Sequence, residues 1–489
     1  MKYIQLSFLL TLTMVLASCN DWLDVTPRSQ IKAETMYETE DGFKLALNGA
    51  YIQMGDRSLY GLNASQYVPE FMARSWTVPT KAANLTNYSI ANLDFTESGA
   101  EKVMSNLFSA YYKTVAQLND ILANLKVSNV KFLYNNDKLI EGEALGLRAF
   151  LHLDVLRLWG PTPANAEDDM KAVPYVTSVT NDPSQLTSKT WGEVKSDIIA
   201  DLDKAEEILG KYDPITYANK DSLNSLTNYS YYIGKGTMPQ DEWQMKRRSR
   251  FNYYAVLATK ARFYHYVGDK ENAAKYAKLV VESGKTELCT ESTISKGLTM
   301  YCEQIFGLGN INLLNIIRDY YLSSSAPFTV NSTFLPYIYE TALNVNDIRA
   351  ISGRYWGDVT YSTGAVVNTF YKYVGKDNIE SDKRIPMIRL SEMYLILTED
   401  LPMEEAKTYF STYRIARGMT SSVDDSAFAS ETALLTRLTS EYLKEFYGEG
   451  QMYYFYKSHN IKKFTYPSRA SLPATGYDIP LPLGLTDFE

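Results

Sequence analysis

Three segments set flat rings beside amide or guanidinium groups outside any helical pattern: Arg74-Ser75-Trp76 with Asn84 and Asn87 downstream, Asn228-Tyr229-Ser230-Tyr231-Tyr232, and Asp319-Tyr320-Tyr321. Such groups can stack on a ligand and hydrogen-bond its rim without making or breaking a bond. The chain carries 39 Tyr against 19 Phe, an excess of aromatics with a polar tip. Most fall on helix faces and read as packing, among them Tyr111, Tyr253, Tyr264, Tyr276, Tyr394 and Tyr409. Trp159 and Trp191 abut helix ends and read as core, and Trp356 lies in a run that reads as buried strand.

Signals for bond-breaking chemistry are weak. Acidic neighbours such as Glu141/Glu143, Asp168/Asp169, Glu404/Glu405 and Asp424/Asp425 read as solvated charges on helices and loop tips. They do not read as the separated pair a glycoside hydrolase needs. His152, His265 and His459 have no Ser or Cys nucleophile at a recognisable motif, and no Gly-rich phosphate loop is present. The reading is therefore no enzyme, no catalytic residue and no cofactor. Three His and three Cys are too few and too scattered in sequence for a metal site, so none is expected. Cys289 and Cys302 form one possible disulfide in an exported protein. The 489 residues hold 49 Lys+Arg against 57 Asp+Glu, a formal charge of −8 with no basic tract, which disfavours nucleic acid as a partner.

Lys2 and the apolar stretch 4–16 have the form of a signal peptide. It ends in Leu16-Ala17-Ser18-Cys19, which resembles a bacterial lipobox, so residues 1–18 are expected to be removed and Cys19 to be acylated. Residues 19–30 are polar, contain Pro27, and read as a tether. No later segment is apolar over the length of a membrane span, so the body is expected to meet the membrane through its lipid anchor only.

The positioning elements are helices in pairs. In 251–283, Ala255, Ala258, Ala261 and Tyr264 line one helix, Gly268-Asp269 makes the turn, and Ala273, Tyr276, Ala277 and Val280 line the next. Small positions let helices approach while Tyr fills the facing groove, the logic of a tetratricopeptide-like hairpin. The same plan recurs in 388–417, broken at Leu401-Pro402. Two further pairs are split by insertions: 42–54 with 103–125, and 140–158 with 191–209. Residues 284–384 lack a sustained helical period. The fold class is thus mainly α: four tetratricopeptide-like helix pairs packed against an irregular, loop-rich C-terminal portion with a few short strands. One body over 31–489 is expected, with hairpins at about 31–283 and 385–450.

The order of landmarks resembles the SusD/RagB family of surface nutrient-binding lipoproteins over nearly the whole chain. It comprises the lipobox with Cys19-Asn20-Asp21-Trp22-Leu23-Asp24, Ala46-Leu47-Asn48-Gly49-Ala50-Tyr51, Gly142-Glu143-Ala144 and Arg148-Ala149-Phe150-Leu151. Leu158-Trp159-Gly160, Val173-Pro174-Tyr175, Glu303-Gln304-Ile305-Phe306, the run from Ile385 to Leu395, Glu449-Gly450-Gln451 and Pro480-Leu481-Pro482 follow. One departure is Leu397-Thr398-Glu399-Asp400, where the family has small residues, which leaves the local turn open.

The resemblance implies an outer-membrane, surface-exposed lipoprotein that captures an oligosaccharide, or in some members a peptide. It also implies a SusC-like TonB-dependent transporter as partner, over which the protein sits as a lid. The ligand site would draw on the first insertion and on 284–384. A sugar offers a C–H face and a hydroxyl edge, so Trp76, Arg74, Asn84, Tyr231, Tyr320 and Tyr321 are the expected ligand residues, with Trp76 foremost. The competing reading is a helical-repeat scaffold whose Tyr-rich loops bind a peptide or protein.

Overall fold

The structure is a computed structural model. It describes residues 33–180, 186–219, 238–294, 297–323, 325–331, 333–340, 346–351, 353–361, 364–375, 383–419, 425–464, 471–473 and 476–482. The expected signal peptide, Cys19, the tether and Tyr231 lie outside the described residues.

Four helical hairpins form the body. The first pairs α1 (Glu40–Met54) with α4 (Ser98–Val127), and the second α5 (Asn136–Trp159) with α6 (Trp191–Tyr212). The third joins α7 (Tyr253–Val267) to α8 (Lys270–Glu282), and the fourth α10 (Leu390–Asp400) to α11 (Met403–Ala416). Sequence dictates the ends. Thr39 caps α1 through Gly42 N, Glu97 accepts from Gly99 N and Ala100 N, and Thr190 and Glu193 form a capping box on α6. Gly268 ends α7 at φ 84°, and Asp269 caps α8. The turn left open at 397–400 is regular: α10 runs through Asp400 and Pro402 starts the return helix.

Helix α5 is central and buried along nearly its whole surface. A β-carbon at Gly142 would lie 2.7 Å from Leu209 Cγ, so glycine there lets α5 and α6 close. Several of its polar side chains tie it to its neighbours. Arg148 grips Asp201 of α6 with two bonds of 2.7 and 2.6 Å, and Glu143 accepts from Arg247 and Tyr51. His152 pins the returning chain: its Nε2 accepts from Val176 N at 3.0 Å, so Nδ1 carries the proton and donates to Arg148 O at 2.8 Å. The ring stacks on Tyr175 at 4.0 Å, and burial pushes its pKa down to about 3.

The stretch 55–97 between the two helices of the first hairpin packs largely into the core. It holds α2 (Val68–Met72) and α3 (Leu85–Ala91), and its Leu59, Leu62, Val68, Phe71 and Met72 are buried. The segment after α8 contains a disulfide joining Cys289 to Cys302, with Cα atoms 5.8 Å apart. Strand β1 (Gln304–Gly309) pairs antiparallel with β5 (Arg384–Arg389), which runs directly into α10. Strand β4 (Val366–Phe370) lies between β2 (Thr329–Val330) and β3 (Trp356–Thr360). This portion also carries a ten-residue helix, α9 (Leu313–Leu322), so Tyr320 and Tyr321 stand on a helix and not in a loop.

A buried ion cluster joins this portion to the hairpins and to α12 (Glu431–Glu445). Glu445 pairs with Arg349 at 3.0 Å, Arg389 at 2.5 Å and Arg417 at 2.6 Å, and Glu303 pairs with the last two as well. Glu449, just before α13 (Gln451–Ser458), completes it through Arg389 and Lys372. Burial alone would raise the Glu445 pKa, but Arg417 and Arg389 outweigh it and hold the carboxyl well below its usual range.

Candidate functional site

Among the described residues, the rings expected at a ligand face, Trp76, Tyr320 and Tyr321, gather around Phe328, and of these three only Tyr320 reaches solvent. Trp76 is fully buried, lies flat on Phe328 at 5.3 Å with 6° between planes, and meets the edges of Tyr321 at 5.8 Å and Tyr447 at 5.2 Å. Its indole N–H donates to Gln66 O at 2.8 Å, so nothing polar is left for a ligand. The exposed platform expected of Trp76 is therefore corrected to a core ring. Removing an indole of roughly 200 Å² from water is worth about 5 kcal/mol once its N–H is satisfied. Thr77 N donates to Thr329 O at 2.8 Å and stitches the insertion to β2.

The other expected residues divide in the same way. Tyr321 is fully buried and donates to Gln66 Oε1 at 2.9 Å. Arg74 is buried at a left-handed φ of 57° and donates to Asn92 Oδ1 at 2.6 Å, and burial lowers its pKa. Asn84 is exposed, but its side-chain oxygen caps α3 by accepting from Asn87 N at 2.9 Å. The ligand-facing role expected of Tyr321 and Arg74 thus becomes a packing role, because each side chain is itself buried and hydrogen-bonded within the fold.

Tyr320 is the member left half-exposed. Its ring stands on Phe328 at 5.0 Å, so Tyr320, Phe328 and Trp76 form a column running inward from the surface. The exposed Arg57 guanidinium lies 5.4 Å from the centre of the Tyr320 ring and donates to its hydroxyl. Beside them Tyr67, also packed on Phe328 at 6.1 Å, donates to Asn87 Oδ1 at 2.7 Å. Burial raises the Tyr67 pKa, so it remains a neutral phenol. Arg57, Tyr67 and Phe328 were not singled out from sequence. The spacing of Leu313, Ile317 and Tyr321, which are the buried residues of α9, was the one available signal: it places Tyr320 beside the inward face.

This arrangement supports stacking and edge hydrogen bonding. Five of the acidic residues weighed as catalytic pairs are engaged elsewhere: Glu141 with Lys138, Glu143 with Arg247, Asp168 with Lys195, Glu404 with Lys407 and Glu405 with Lys278; Asp424 lies outside the described residues. Two grooves of about 1060 and 980 Å³ lie away from the column. The first is lined largely by charges, among them Lys189–Asp197 and Lys195–Asp168 pairs, and the second by the α4–α5 cleft with Asn119, Phe132 and Lys138. Tyr264, which lines the first, stacks on Tyr276 at 5.7 Å. The Tyr320 column is the candidate site on the chemistry of its groups.

Comparisons with known proteins fit this architecture. A family profile described as SusD-like, "Starch-binding associating with outer membrane", matches residues 21–224. The chain is 27% identical over 211 residues to SusD-like protein P38 of Formosa agariphila, covering 42% of this chain and 38% of that protein. It is 26% identical over 161 residues to SusD-like protein P25 of the same organism, covering 31% and 29%. The matches thus span well under half the length of these relatives. Among solved structures it is similar to a SusD superfamily protein from Bacteroides thetaiotaomicron, with TM-score 0.70, 19% identity, and coverage of 91% of this chain and 97% of that one. A SusD-like carbohydrate binding protein from Bacteroides vulgatus superposes with TM-score 0.66 and 19% identity over 86% and 83% of the two chains. At such identities the structural likeness speaks for the fold.

Proposed function

We propose that this chain, whose residues 21–224 match a SusD-like family profile, captures an oligosaccharide at the outer membrane on the face built by Tyr320 and Arg57. The observation that carries this reading is a half-exposed phenol packed on buried Phe328, itself backed by Trp76, and edged by a guanidinium. A pyranose can lay its C–H face on such a ring while the exposed Arg57 reaches its hydroxyls. Preorganisation matters here, because a ring already immobilised by Phe328 loses little further entropy on binding. Affinity from a few such contacts falls in the micromolar to millimolar range, about 4 to 8 kcal/mol.

In the same reading Cys19 carries the lipid anchor, and a SusC-like TonB-dependent barrel receives the ligand. No helix among the described residues is long and apolar enough to cross a membrane. The family profile's description supports the outer-membrane setting.

Calorimetric titration with soluble glycans tests the reading. Tyr320→Ala should weaken glycan binding by about tenfold or more, the loss of one stacked ring, while the Tm stays within a few degrees. Undiminished binding in that variant would remove Tyr320 from the site. Binding of peptides in place of any glycan would transfer the protein to the helical-repeat scaffold reading. Co-purification with a TonB-dependent barrel, and its dependence on Cys19 for membrane retention, test the partner and the anchor.

A further inference from the structure

The polar groups at the edge of the Tyr320 ring are donors. Arg57 is exposed, and among the described residues its one hydrogen bond runs from Nη2 to the Tyr320 oxygen, with no ion pair formed. A guanidinium presents five N–H groups, so the rest of the fork is open to a ligand. The Tyr320 hydroxyl accepts that one bond and keeps its own proton to donate. The acceptors around them are turned to other bonds. Asp56 Oδ1 accepts from Ser58 N at 2.8 Å and Ser58 Oγ at 2.7 Å. Glu97 caps α4 through Gly99 N at 2.9 Å and Ala100 N at 2.8 Å, and Asn87 Oδ1 is taken by the Tyr67 hydroxyl. Asp319 precedes Tyr320 and is turned about 100° from it around α9.

Donors gathered beside a half-exposed ring suit a ligand that brings its own negative oxygens. We propose that the Tyr320 face selects an acidic saccharide, holding a carboxylate or sulfate on the Arg57 fork and the Tyr320 hydroxyl while the adjoining sugar ring lies on Tyr320. This rests on the reading of the face as a glycan platform and names the class of glycan it takes. A carboxylate accepts two parallel N–H bonds from one guanidinium, which a sugar hydroxyl cannot do, and such charge-assisted bonds are roughly twice as strong as neutral ones. The chain as a whole carries a formal charge of −8, so it does not draw anions by its overall field. A preference for acidic sugars would therefore report the local guanidinium. Because Arg57 is exposed, that preference should fade as salt screens it.

The test titrates the whole protein with matched pairs of glycans: an oligogalacturonide and its methyl ester, and a sulfated galactan oligosaccharide and its desulfated form. The acidic member of at least one pair should bind about tenfold or more tighter than its neutral partner at low salt. The pair that shows the advantage identifies the anion as carboxylate or sulfate. The advantage should shrink as sodium chloride is raised, disappear in Arg57→Gln, and survive in part in Arg57→Lys, which keeps the charge without the fork. Arg57 is exposed, so both variants should melt with the wild-type protein. Equal binding of acidic and neutral members, an advantage unchanged in Arg57→Gln, or neutral glycans bound while both acids are refused overturns the inference and leaves the glycan reading standing. Binding of no saccharide of either kind overturns both.

Discussion

Acidification should unlock the neutral imidazole at the centre of α5. His152 is fully buried, donates from Nδ1 to Arg148 O and accepts from Val176 N at Nε2, so protonating it would set an N–H against an N–H. Burial is the main cause that takes its pKa down to about 3, with the Arg148 charge adding to it. In the unfolded chain a histidine titrates near 6.5. Between these values the unfolded state holds one more proton at this site than the folded state. This contribution is therefore intact above about pH 6.5 and is lost as pH falls towards 3. Where the difference is a full proton the slope is about 1.4 kcal/mol per pH unit, so acidifying from 6.5 to 4.5 removes about 2 kcal/mol. That is a sizeable share of a stability of about 5–15 kcal/mol.

Denaturant unfolding at a series of pH values, for the wild-type protein and His152→Gln, isolates the effect. Glutamine can accept from Val176 N but does not titrate. Titrating carboxylates such as Glu445 contribute equally to both proteins and cancel in the difference. The variant should lose less stability between pH 6.5 and 4.5, by about 2 kcal/mol. The imidazole resonances of folded His152 should show a neutral ring at pH 5. Equal slopes in the two proteins, or a folded resonance titrating near 6.5, would refute the reasoning.

Other expectations follow from single contacts. Glu445→Gln leaves Arg349, Arg389 and Arg417 short of their shared counter-charge and should cost about 3–5 kcal/mol in denaturant midpoint measurements. Trp76→Ala should lower stability by about 3–5 kcal/mol through the cavity left under Phe328, in contrast to Tyr320→Ala, which should spare the fold and weaken glycan binding. Thr190→Ala removes the capping box of α6 and should cost about 1 kcal/mol in thermal unfolding.

The helix pairs were legible because their signal is local. Val194, Ile198, Leu202, Ala205 and Leu209 repeat at helical spacing, and that face is the one buried. The insertion 55–97 was not legible as core, because its Leu59, Leu62, Phe71 and Trp76 are spaced by short helices and turns that follow no single period. The candidate site was half legible. Trp76, Tyr320 and Tyr321 were named from residue type, and they do gather. What unites them is Phe328, and whether a ring faces water depends on contacts between distant segments. The irregular portion hid α9 for the opposite reason: its inward residues keep a four-residue spacing, but over ten residues only. Arg57 gave no signal at all, since an arginine in a turn reads the same whether or not a phenol lies beneath it.

The buried tryptophan sets an order of assembly. Phe328 stacks on it and Tyr447 meets it edge-on, and the Tyr447 hydroxyl donates to Ser75 O. Both closing rings are translated more than two hundred residues after Trp76. A nascent chain therefore carries an uncovered indole until its last third arrives, and the Tyr320 face forms only then. The proposed recognition surface is acquired late in the life of the nascent chain, so any fragment ending ahead of Leu313 lacks it.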